Sequence, residues 1–139
     1  MQLLKKRLSK EYFHLAYGVF TLIGGIYVFF HLNYLDNPQI TPPPPLPHFE
    51  RLGADFVDDW WFASLLVLAG FFLLLGVFLG QRKWRDIGVV IAAPLYGAMA
   101  FAFAWRGLLD QRFNLTWVSM SLAFVLLIGT AMRGDRRHD

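Results

Sequence analysis

Charged and apolar positions alternate along this chain in long blocks, without the short period of a half-buried surface helix or strand. No Asp, Glu, Lys or Arg occurs from Tyr12 to Leu35, from Trp60 to Gln81, from Ile87 to Trp105, or from Leu115 to Met132. At a rise of about 1.5 Å per residue, a run of about 20 apolar residues crosses a hydrocarbon core of about 30 Å as one helix. The pattern predicts an all-α membrane protein with four transmembrane helices, at about 12–33, 60–80, 87–105 and 115–132. They form one four-helix domain over residues 1–139, with an outer loop at 34–59.

The second run sets the orientation. Asp58 and Asp59 precede Trp60 and Trp61 at its start, and Arg82, Lys83, Trp84 and Arg85 follow its end. Indole rings favour the headgroup level, so Trp60, Trp61, Trp84 and Trp105 read as interface anchors. Cations close to span ends stay cytoplasmic. Lys5, Lys6, Arg7, Lys10, Arg82, Lys83, Arg85, Arg133, Arg136 and Arg137 then lie inside, and only Arg51, Arg106 and Arg112 lie outside. Ten against three predicts both termini in the cytoplasm, in a bacterial inner or plasma membrane. The basic start, with Leu3, Leu4 and Leu8 among its cations, has the makings of an amphipathic lipid anchor, but an ordinary inside charge cluster accounts for it. The first apolar run is too long for a signal-peptide core and no cleavage pattern follows it, so it reads as a retained helix.

The outer loop is the least generic stretch. Pro38, Pro42, Pro43, Pro44, Pro45 and Pro47 favour polyproline II, a semi-rigid strut. Phe49, Leu52 and Phe56 then recur at i, i+3 and i+7, the spacing of a short amphipathic helix in the outer interface. Pro42, Pro43, Pro44, Pro45, Phe49, Leu52 and Phe56 are therefore candidate partner contacts. The plainer reading of the strut is a rigid connector returning the chain to the membrane.

Composition agrees with the pattern: 56% of the 139 residues are hydrophobic, 17% are charged, and mean hydropathy is +0.43. The net charge of +3 does not signal nucleic acid, because topology already accounts for the cations. The chain has no cysteine, which removes disulfides, zinc-thiolate sites and thiol redox chemistry.

Small residues are placed where helices approach closely. Thr21 and Gly25 are four apart, with Gly18 and Gly24 adjoining. Gly76 and Gly80 form a G-x-x-x-G, and the third run carries small residues on several faces, Ala93 and Gly97 among them. These six, Thr21, Gly25, Gly76, Gly80, Ala93 and Gly97, are the candidate helix-packing positions. Leucine at Ala93, Gly97 and Gly76 is expected to disperse an assembly built on those faces. Pro94 is expected to bend the third helix.

Candidate chemistry is sparse. An intramembrane carboxylate, the usual device of proton- or cation-coupled transport, is missing from all four runs. Thr21, Ser64, Ser119 and Ser121 have no nearby base and read as interhelical or back-bonded hydroxyls. His14 and His31, at opposite ends of the first span, are too far apart to share a metal or haem and read as polar anchors, although either can ligate a cofactor with a partner on another chain. His48, Glu50, Asp55, Asp58 and Asp59 fit no metal-binding spacing. No catalytic residue, cofactor or metal site is expected. The Asn114-Leu115-Thr116 sequon lies too close to the membrane, and Arg133-Gly134-Asp135 falls on the cytoplasmic side. The leading expectation is a non-catalytic accessory subunit, partnered by the bilayer and by a larger membrane complex or by copies of itself. Two alternatives are a holin-like pore former and a carrier or channel for a neutral or lipid-like molecule, lined by Tyr96, Ser119 and Ser121.

Overall fold

A computed structural model of the chain describes residues 10–32, 55–109 and 115–135. Helix α1 spans Tyr12–Phe29, a 3-10 turn spans Asp55–Asp58, and α2, α3 and α4 span Trp60–Leu79, Arg82–Leu109 and Thr116–Asp135. No strand occurs among the described residues. Three helices are long and apolar enough to cross a membrane: α1, α2 and the stretch Arg82–Trp105 of α3. The apolar part of α4, Thr116–Met132, is shorter. The chain has the character of an all-helical membrane protein.

Successive helices run antiparallel. Gly18 of α1 lies against Leu73 and Leu74, and Gly25 against Val67 and Ala63, so α1 rises as α2 descends. Gly76 faces Arg85 and Gly88 faces Leu73, which reverses the direction again. Gly97 meets Phe124, while Leu127 packs with Val89 and Ala92, which reverses it a third time. The starts of α1 and α3 and the ends of α2 and α4 therefore share one end of the bundle, the α1-start end below.

The α2–α3 connection is the tightest local structure. Gly80 takes φ 69° and ψ 21°, the left-handed conformation that glycine adopts without a Cβ penalty. The Gly80 N–H donates to the Val77 carbonyl at 3.3 Å and the Gln81 N–H to the Gly76 carbonyl at 3.0 Å. This pair of bonds is the Schellman termination, which satisfies carbonyls that a helix end otherwise leaves open. Helix α3 starts immediately after Gln81. Residues Gln81 to Asp86, which separate the second and third expected spans, are thus almost wholly helical, since nothing between Arg82 and Asp86 breaks a helix. Helix α3 also continues through Pro94.

Two cores fill the bundle. Phe62, Leu66, Leu95 and Met99 form the one nearer the start of α2, where Val57 of the 3-10 turn closes it. Ala69, Leu73, Val89, Ala92 and Leu127 form the other. The outer-loop contacts Pro42, Pro43, Pro44, Pro45, Phe49 and Leu52 lie outside the described residues. Phe56 is described, and it is in the 3-10 turn, stacked on Trp61 at 6.4 Å and edge-on to Phe62 at 5.6 Å.

Candidate functional site

Helix α1 buries only His14, Gly18, Thr21 and Gly25. The spacing i, i+4, i+7, i+11 puts all four on one face, and that face is polar or small where a soluble helix would carry Leu and Val. Large side chains are excluded there by the approach of α2. A Cβ at Gly25 would lie 2.7 Å from the Val67 nitrogen, and one at Gly70 of α2 would lie 2.5 Å from the Leu22 nitrogen. In a bilayer such backbone-to-backbone contact supplies the packing that hydrophobic burial supplies in water.

The polar members of this face form two bonded groups. At the α1-start end, the Glu11 carboxylate accepts from Arg85 Nη1 at 2.5 Å through one oxygen and lies 3.1 Å from His14 Nδ1 through the other. The three side chains are only 11–18% exposed. Gly76 permits this geometry, because a Cβ there would collide with Arg85 Cγ and lie 2.6 Å from its backbone nitrogen. Deeper in the bundle, Thr21 Oγ1 and Tyr96 Oη share a hydrogen bond of 2.9 Å. Tyr17 donates its hydroxyl to the Ala123 carbonyl at 2.6 Å and meets the Tyr96 ring edge-on at 6.0 Å. Tyr17, Thr21 and Tyr96 thereby tie α1 to α3 and α4.

What this seam can do chemically is limited by how completely it is paired. No buried side-chain nitrogen or oxygen among the described residues lacks a hydrogen-bond partner. Ser64, Ser119 and Thr130 donate to the carbonyls four residues back, Trp60, Leu115 and Leu126. Among the described residues no cluster of His, Cys, Asp or Glu has the makings of a metal site.

The sequence-chosen positions fall in several places. Thr21 is in the seam, Gly25 is under α2, and Gly76 seats Arg85. Ala93 flanks the second core, and a Cβ at Gly97 would lie 3.4 Å from the Phe124 ring, an ordinary contact. Gly80 is exposed and shapes the turn, so Gly76 and Gly80 do not form one flat face: one glycine packs and the other caps. Trp60, Trp61 and Trp105 stand at one end of the bundle and Trp84 at the other, stacked on Phe72 at 5.4 Å. Trp61 donates its indole N–H to Asp59 at 2.8 Å. Of the three residues named for a carrier path, Tyr96 turns inward to Thr21, Ser119 is exposed and Ser121 is half-buried. The ion pair and the buried state of His14 were missed in the sequence. The polar-and-small face of α1 was the available signal. Comparison with protein-family models, with curated proteins and with solved structures finds no match to this chain.

Proposed function

We propose that this protein is a small, non-catalytic integral membrane subunit that crosses the bilayer four times with both termini cytoplasmic. It assembles through its outer helix faces with a larger membrane complex or with copies of itself. The observation that supports this reading most is the way α1 and α4 use their surfaces. Each sits at the edge of the bundle, and α1 spends its small and polar groups on the interior. Outward, α1 presents Phe13, Phe20, Ile23 and Tyr27, and α4 presents Trp117, Leu122, Val125 and Met132. Large apolar side chains on two edge helices suit lateral packing against other helices, and among the described residues every buried polar side-chain atom is already bonded.

The fourth crossing draws support from packing. The apolar part of α4 is about 26 Å long at ~1.5 Å per residue, and a small shortfall is met by local bilayer thinning. Met120, Phe124 and Leu127 follow α3 along its length. The orientation rests on the cations gathered at the α1-start end.

The test is native mass spectrometry of the tagged full-length protein, purified from its own host in mild detergent. A stoichiometric foreign partner is the expected result for the accessory subunit, and a homo-oligomer without one would move the pore and carrier readings ahead. A monomer with neither would overturn the reading. The holin-like alternative predicts abrupt, timed loss of membrane potential on induced expression, and steady growth counts against it.

A further inference from the structure

The outer side of α3 carries a groove in which only Ile91 also serves the interior, packing against both cores. Arg82, Lys83, Asp86, Ile87, Val90 and Ile91 line an open groove of about 530 Å³. At about 100° per residue these six occupy one half of the helix circumference. Arg85, Gly88 and Ala92 occupy the other half and meet α2. The groove is therefore directed away from the α1–α2 pair. Its polar and apolar parts are segregated along the helix axis. Arg82, Lys83 and Asp86 are in the first two turns, and Ile87, Val90 and Ile91 follow, with Val90 71% exposed.

We propose that this groove is a binding site for an anionic phospholipid, with the phosphodiester at Arg82 and Lys83 and an acyl chain along Ile87, Val90 and Ile91. Charge complementarity selects the head. Lys83 supplies the cation on which this complementarity rests, since Arg82 beside it is already engaged, with Asp86 Oδ2 3.4 Å from its Nε. The apolar wall selects a lipid over a free phosphate, which would leave Val90 and Ile91 without a ligand contact. Position agrees as well, because the charged-to-apolar step coincides with the start of the apolar stretch of α3, where headgroups meet hydrocarbon. The proposal rests on the membrane setting of the helices and is independent of any partner subunit.

The experiment is native mass spectrometry of the full-length protein in mild detergent with equal amounts of phosphatidylglycerol and phosphatidylcholine. The first retained lipid is expected to be the anionic one. Lys83→Gln should lower that preference about fivefold, the factor one cation near an anionic surface is worth. Asp86→Asn should raise it. Lys10→Gln, at the same end of the bundle but just ahead of α1, should leave it at the wild-type level. Lys10, Arg82, Lys83 and Asp86 are exposed, so these variants keep the fold. Equal retention of both lipids, an equal loss in Lys10→Gln, or full displacement of the lipid by inorganic phosphate would each overturn the assignment. A co-purified partner protein is a separate readout, so failure here is distinguishable from failure of the subunit reading.

Discussion

Replacing Gly70 by alanine tests the claim that α1 and α2 are held by backbone contact. The added Cβ would lie 2.5 Å from the Leu22 nitrogen and 2.8 Å from its Cα, both backbone atoms that cannot rotate aside. Ordinary carbon contacts are at about 3.5–4.0 Å, so the two helices must separate by about 1 Å near that point. Overpacking of this kind costs about 1–3 kcal/mol. Alanine's better helix propensity returns about 1 kcal/mol, so the net effect is a loss of up to about 2 kcal/mol. Gly24→Ala is the matched control, because nothing lies within 4 Å of a Cβ there. It keeps the propensity gain alone and should be stabilising by about 0.5–1 kcal/mol. One chemical change thus produces opposite signs on adjacent helices. Unfolding in mixed micelles against the mole fraction of dodecyl sulfate, followed by fluorescence of the five tryptophans, measures both. Gly70→Ala as stable as Gly24→Ala would refute the reasoning. So would a Gly70→Ala protein that changes only its oligomeric state, since that would assign the glycine to a contact between chains.

The ion pair gives a second test: Glu11→Ala and Arg85→Ala should each cost about 1–3 kcal/mol, below a fully buried pair and above a surface one. Their double-mutant cycle should show coupling, and additive losses would remove the pair from the account. Gly80→Ala forces a Cβ into the left-handed region and should cost about 1–2 kcal/mol in the same unfolding assay, with an unchanged midpoint counting against the turn as described. Because the chain has no native cysteine, single substitutions report topology directly. Trp60→Cys should react with an impermeant maleimide on intact cells, and Gln81→Cys only after permeabilisation. The reverse result would invert the orientation, and labelling of both from one side would deny that α2 crosses.

The apolar blocks predicted the helices because, in a bilayer, every backbone polar group must be bonded within its own segment, so a long uncharged run has few alternatives to a helix. The start of α3 was harder to place. Charged residues end a membrane run, but they do not end a helix, and α3 begins at Arg82 where the composition changes only at Ile87. The same distinction hid Glu11 and Arg85, which lie outside the apolar blocks and about one helix turn from the buried face they serve. The bond from Tyr96 to Thr21 was not legible in the sequence, because a tyrosine in an apolar run says nothing about which hydroxyl it will meet.

Composition and block pattern by themselves determined the class of protein, the number of apolar runs, the small-residue faces and the absence of thiol chemistry. Each follows from properties that single segments carry whatever their neighbours are. Tertiary structure alone decided how those faces are used. It placed Gly76 beneath Arg85 and gave Gly80 to the turn, paired Glu11 with a cation 74 positions away, and joined Thr21 to Tyr96 across 75. Such contacts depend on the register and rotation of one helix against another, and a periodic pattern within one helix does not contain that information.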